Sequence, residues 1–307
     1  MTPGIVLTGL DGSNPLGFLA ALGVLNVLAD TGGAPKLAWR SGDWRPTIVD
    51  AEVADREALL ARLHEDLGTW SDDACLALKY SKGEKRAKPA WDLKPPPEKF
   101  RSYLKQLVAA SDPRRRRSVD FAAAFATETA QDNNGNTKPT ALHFTAGNQQ
   151  FLSMVAKLRD LVTRNDFEEA LFGPWRYERV LPVLGWDCSA ARIYALRADD
   201  PSKSKRRGIP GADWLAFRGL SFIRVAPVGK QVETTGCSGS WKTGTFSWPL
   251  WGVGLTRDSV QVLVQMADLS TLPEAHRRAR GISAVFTSGI LRPDDAVYGS
   301  LTPAIAV

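Results

Sequence analysis

LDGSNPLGFLAALGVLNVLAD, residues 10–30, decides the fold. Asn14 is a good N-cap, and Pro15 falls on the first helical position, where its missing N–H removes no bond. Phe18, Leu22, Leu25 and Ala29 recur at helical spacing, with Leu19 and Leu28 beside them. The near-continuous apolarity predicts a buried helix. Ala20, Ala21 and Gly23 are small, so another element is able to approach this helix closely. Gly32-Gly33 ends it. Ahead of it, Gly4 to Gly9 reads as a short buried strand; behind it, Lys36–Arg40 and Pro46–Val49 read as a hairpin across Ser41-Gly42-Asp43. The first fifty residues are therefore predicted to run β–α–β–β.

Further along, Ala54 to Leu67 reads as a helix with Leu59, Leu60, Leu63 and Leu67 on one face, and Phe100 to Ala110 as a short one. Ser118 is placed to cap a helix over Val119–Thr129, before the turn-forming loop QDNNGNTKPT. Phe151, Met154, Val155, Leu158, Leu161 and Val162 make another helical stripe. Residues 173–307 form a Trp-rich C-terminal half, with strands predicted at Ser221–Val225, Thr243–Trp248 and Ile282–Thr287 and helices at Asp258–Leu269 and Pro273–Arg280. The helices and strands lack the regular alternation of a doubly wound fold. The expectation is one α+β domain over residues 1–307, a mixed single body with a basic, loop-rich insertion at 79–117 that projects from it.

Composition narrows the class. Of 307 residues, 44% are apolar and 23% charged, as in ordinary globular proteins, and the excess of 39 Lys/Arg over 33 Asp/Glu leans toward an anionic partner. Cys75, Cys188 and Cys237 are isolated, with no CxxC or Cys/His cluster, which argues against structural zinc and fits a reducing cytoplasm. The first residues, MTPGIVLTGLDGSNP, lack the basic and apolar regions of a signal peptide, and the apolar stretch from Leu16 to Ala29 is too short to span a bilayer. A cytoplasmic protein with no membrane partner is expected.

No catalytic constellation emerges. His64 and His276 lie in charged helical contexts, and His143 adjoins the polar loop without a partner motif. GCSGSWKTG, residues 236–244, misses the GxxxxGK spacing of a phosphate loop and reads as a hairpin turn. The acidic pairs Asp72-Asp73, Asp199-Asp200 and Asp294-Asp295 fit no metal motif. Neither a catalytic residue nor a metal or other cofactor is expected.

Charge is more informative. Residues 79–117 hold thirteen Lys/Arg against four Asp/Glu, a net of nine positive charges, which leaves the remainder of the chain net negative. Here Lys79, Lys82, Lys85, Arg86 and Lys88 surround Tyr80, Trp91 follows, and Arg114, Arg115, Arg116 and Arg117 form an unbroken run. A second basic loop carries Lys203, Lys205, Arg206 and Arg207. Such segments bind phosphates through charge and counterion release, arginine adds forked contacts, and Tyr80 or Trp91 offers a ring for an unpaired base. The expected partner is nucleic acid.

LDGSNPLGFLAALGVLNVLAD resembles the N-terminal signature of CRISPR-associated subunits of type I-G (formerly I-U) systems, a strand, a Gly/Asn/Pro turn and an apolar helix of the form PLx(F/Y)LxALGxL. FTAGNQQFL (144–152), FGPWRY (172–177), GWDCSAARIYALRADDPS (185–202) and GADWLAFRGL (211–220) extend the resemblance over much of the chain. The family is similar to a small version of the large subunit of the Cascade surveillance complex, and also occurs as an extension of the helicase-nuclease of these systems. The resemblance implies a non-catalytic role: recognising the PAM in target DNA, stabilising the R-loop, and working with crRNA, other Cascade subunits and the helicase-nuclease. Guide pairing then reads the sequence, leaving the protein to grip backbone and contact few bases. In that role Asn133, Asn134, Asn136, Gln149 and Gln150 become candidates for base edges. A structural adaptor without DNA contact and a defence-island nuclease are the competing expectations; acids clustered around His143 would favour the nuclease.

Overall fold

A computed structural model of the protein describes residues 4–50, 52–81, 88–112, 116–188, 206–267, 269–292 and 299–307. It is a mixed α+β fold whose sheets are antiparallel. The opening unit is strand β1 (Ile5–Val6), helix α1 (Pro15–Asp30) and the hairpin β2 (Lys36–Trp39) and β3 (Pro46–Val49), with β3 central in the order β1-β3-β2. The Asn14 side chain accepts the Leu16 N–H, as a capping residue should. The first strand is shorter than the Gly4–Gly9 run because the chain turns at Leu7, whose carbonyl accepts from the Leu10 N–H.

Helix α1 is buried from Pro15 to Leu28. Against it lies α7 (Pro210–Gly219), itself buried along its whole length. The two backbones meet through glycine: a Cβ on Gly23 would stand 1.8 Å from the Leu215 carbonyl oxygen, and one on Gly219 would stand 2.1 Å from that of Leu19. Replacing Gly23 with alanine is therefore expected to force the helices apart and destabilise the protein by about 3 kcal/mol or more. Gly68, with nothing within 4 Å of its absent Cβ, is the control: Gly68→Ala should be near neutral in the same urea titration. Equal midpoints for the two variants would contradict the close approach.

Two aromatic groups cover this central pair. On one side, β9 (Thr245–Trp251) and β10 (Ile282–Leu291) form the middle of the C-terminal sheet, flanked by β8 (Cys237–Ser238), β11 (Ser300–Leu301) and β12 (Ile305–Ala306). Its Trp248 stacks on Phe18 of α1 and donates its indole N–H to the Gly12 carbonyl (2.8 Å), while the Trp251 indole donates to Leu37 (2.7 Å). A two-way backbone bridge between Leu37 and Leu255 ties β2 to the segment that follows β9. On the other side, Trp70, Phe121, Trp214 and Phe217 pack together, using α2 (Arg56–Gly68), α4 (Arg117–Phe125), α5 (Phe151–Leu161) and α6 (Arg164–Phe172) as the frame. One hydrophobic cluster runs from Leu7 to Leu301.

Several expectations change. The helix predicted over Val119–Thr129 starts at Arg117 and ends at Phe125, giving way to β4 (Ala126–Gln131), which pairs with β5 (Thr137–Pro139). Ser118 is inside that helix and donates to Asp73 instead of capping. Ser221–Val225 is the end of a 3-10 turn, Leu220–Phe222, and the strand begins at Val225 as β6 (Val225–Val228), paired with β7 (Gln231–Thr234). Residues 88–112 do not project. Ala90, Asp92 and Leu93 are buried, and α3 (Pro97–Ala110) packs through Phe100, Tyr103 and Leu107. The proline run that breaks any longer helix supplies the first turn of this one. Helices α8 (Arg257–Val264) and α9 (Glu274–Ala279) complete the chain.

Candidate nucleic-acid interface

The KPAWDLKPPP stretch, residues 88–97, organises the candidate site. An antiparallel bridge closes Tyr80 on Ala90, with N–H to carbonyl distances of 3.0 and 2.7 Å, and Lys79 and Lys88 stand next to this stem in the chain. The Trp91 N–H donates to Gln150 Oε1 (2.6 Å), its indole N–H to the Leu76 carbonyl (2.5 Å), and its carbonyl accepts from the Ser153 N–H (3.2 Å). The Pro95 carbonyl accepts both the backbone N–H and the hydroxyl of Thr137, each at 2.9 Å, which fixes the strap against the Asn-rich β4–β5 turn.

Asp92 is the buried anchor. Its Oδ1 accepts the Phe151 N–H (2.9 Å) and lies 3.0 Å from His143 Nε2, itself 2.9 Å from the Thr145 hydroxyl. Burial opposes ionisation of Asp92, but the adjacent His143 and the N–H groups of Phe151 and Leu93 outweigh it and hold the carboxyl well below its usual range. His143 and Asp92 are 2% and 3% exposed. Only this one acid pairs with His143 among the described residues, and no group of three or more His, Cys, Asp or Glu there is placed to hold a metal ion. The geometry is that of a structural clamp.

The predicted residues divide accordingly. Lys79 and Lys88 are exposed, and Lys79 and Lys99 line an open depression together with Tyr80, Ser81, Pro89 and Pro96. Tyr80 is 5% exposed, so it supports the stem and offers no ring to a base. Trp91 is half-buried, with its N–H engaged and Lys79 Nζ 4.4 Å from its ring centre, and is likewise no open platform. Gln150 is committed to Trp91, and the Gln149 N–H closes a turn onto Ala146. Asn133 and Asn134 are exposed at the hairpin tip and make no side-chain hydrogen bond among the described residues, while Asn136 is half-buried. Asp132 Oδ1 shapes this tip by accepting the N–H groups of Asn134 (2.9 Å) and Asn136 (3.0 Å).

Arg117 is a correction. Its guanidinium lies 2.7 Å from Asp73, bonds Thr69 and sits 4.4 Å over the Trp70 ring, so it fastens α4 to the end of α2. The same charge holds Asp73 below its usual range despite burial. Arg116 is open, with a loose 3.8 Å pairing to Asp120. Arg207 is exposed and Arg206 half-buried. Lys82, Lys85, Arg86, Arg114, Arg115, Lys203 and Lys205 lie outside the described residues.

Asp213 accepts the Leu184 N–H through Oδ1 (3.0 Å), and a Cβ on Gly208 would lie 3.3 Å from its Oδ2. Nearby, Asp187 accepts from Asn14 Nδ2 (3.1 Å) and the Tyr177 hydroxyl (2.9 Å), joining the start of α1 to the FGPWRY and GWDC segments. Sequence reasoning missed one further group, in which Arg292 and Lys94 surround the exposed Trp241. No described helix is long and apolar enough to cross a membrane. No protein-family model matches the chain, and no curated protein matches it.

Proposed function

We propose that this protein is a non-catalytic, DNA-contacting subunit of a type I-G CRISPR effector, acting as its small Cascade large subunit in PAM recognition, R-loop stabilisation and recruitment of the helicase-nuclease. One observation supports the reading above the others: the exposed Lys79 and Lys88 stand next to the Tyr80–Ala90 bridge, and the strap that follows is bonded through Pro95 to Thr137 of the hairpin whose tip carries the exposed Asn133 and Asn134. Lysines grip any phosphate backbone, whereas an asparagine amide reads a base edge. This division suits a subunit that leaves most sequence reading to guide RNA.

The test uses the assembled crRNA complex. If about six phosphates are neutralised, log affinity for duplex DNA should fall against log salt with a slope near −5. Replacing Arg114, Arg115 and Arg116 with alanine, and keeping Arg117 for its structural work, should flatten that slope and weaken all sequences alike. Asn134→Ala should instead weaken PAM-containing duplex selectively, by about 1–3 kcal/mol. Equal binding of target DNA with and without this chain would remove the DNA-contacting role and leave an adaptor.

A further inference from the structure

The geometry points to Trp241 as a stacking platform for an unpaired nucleobase, so that this face takes single-stranded nucleic acid as well as duplex backbone; the inference rests on the nucleic-acid reading above. Trp241 is the outer member of a three-layer stack. Phe144, 4% exposed, is the inner layer. The Arg292 guanidinium comes next, 5.0 Å from the Phe144 ring centre and 3.7 Å from that of Trp241. Arg292 is held from several directions: Nη1 donates to the Trp241 carbonyl (2.6 Å), and Nη2 donates to the carbonyls of Ala141 and His143. One face of the indole lies against the guanidinium, and 47% of Trp241 is still exposed.

The turn around Trp241 is ordered: Ser240 and Thr243 share a hydroxyl contact of 2.8 Å, the Thr243 N–H donates to Ser240 Oγ, and the Gly244 carbonyl accepts from Ile290. The ring is thus oriented before anything binds, which lowers the entropy lost on stacking. Among the described residues, two cations stand against it, Arg292 and Lys94. Arg292 has no carboxylate partner among the described residues. Lys94 Nζ lies 5.9 Å from the indole centre, on a side chain with no ion pair among the described residues and the reach to meet a phosphate. Lys94 also precedes Pro95, whose carbonyl is bonded by Thr137, so one strap contacts both the platform and the hairpin that carries the Asn133–Asn136 turn. An aromatic face with flanking cations is what sequence-tolerant binding of single strands requires.

The experiment measures fluorescence anisotropy of the full-length protein with labelled oligothymidine of about 20 nucleotides and with an abasic strand of the same phosphate count. Trp241→Leu keeps an apolar cover on Arg292 but cannot stack; Trp241→Phe keeps both. The Leu variant is expected to lose on the order of tenfold in affinity for oligothymidine and to bind the abasic strand as the wild type does, with Phe restoring most of the loss. Unchanged oligothymidine binding by Trp241→Leu, or equal losses on both strands, would overturn the platform. So would a wild type that binds the two strands equally, an outcome that leaves the nucleic-acid reading standing. A wild type that binds neither strand would overturn both.

Discussion

Arg218→Ala is expected to destabilise the protein by about 3–5 kcal/mol, the range for breaking a buried ion pair from one side. Arg218 has 0% side-chain exposure. Its Nη2 donates to Asp30 (2.9 Å) and to Asp66 (3.1 Å), and its guanidinium lies 4.6 Å over Trp70. Arg257 completes the group by donating to the other oxygen of Asp30 (2.8 Å). Asp30 retains access to water and to Arg257, but Asp66 does not: burial already raises its pKa against the opposing pull of Arg218. Removing the arginine leaves Asp66 to be buried without a partner or protonated. The double variant Arg218→Met, Asp66→Leu separates charge from volume. It should recover most of the loss, because an apolar pair of similar size avoids the desolvation of both ions. Urea denaturation measures all three proteins. A loss under about 1 kcal/mol in the single variant would show that the ion group carries little.

The same residues illustrate what the sequence made legible. Helix α1 was readable because its signals are local: a cap, a proline at the first position and apolarity on every side. Even its close neighbour was foreshadowed by Gly23, though nothing local says that Gly219 is the matching gap. The β4 strand was misread because Ala122–Ala124 favour a helix and Thr127 and Thr129 weakly oppose one; the pairing of Ala126 with Pro139 and Thr127 with Lys138 decides the matter, and it is tertiary. The basic segment was legible as charge but not as geometry. Charge density cannot reveal that Arg117 is drawn down onto Trp70 and Asp73, or that Trp91 is bonded to Leu76 and Gln150. The Trp241 platform was invisible for a related reason. Phe144, Lys94 and Arg292 come from three distant parts of the chain, and the hairpin reading of residues 236–244 was right without saying what its tip touches.

Asp213→Asn is expected to flatten the pH dependence of stability between about pH 4 and pH 8. Asp213 lies in the first turn of α7, 1% exposed, with Oδ1 accepting the Leu184 N–H and Oδ2 without a hydrogen-bond partner among the described residues. Burial pushes its pKa up to about 8; the Leu184 N–H and the charge of Arg206 pull the other way, and Asp187 adds to the rise. The native acid therefore holds its proton across a range in which the unfolded chain, ionising near 3.8, has released it. Unfolding then releases a proton, so the stabilisation is complete below the unfolded value and is lost as pH rises through the folded one. The slope from this group is at most about 1.4 kcal/mol per pH unit. Asparagine imitates the protonated acid and cannot ionise, so the variant should lose less stability than the wild type on going from pH 5 to pH 8 in urea titrations. Identical losses in the two proteins would mean that Asp213 is ionised in the native state. Asp213 is also the acceptor for the Leu184 N–H and lies beside Gly208, so its protonation state bears on how the backbone at Leu184 is held against the start of α7.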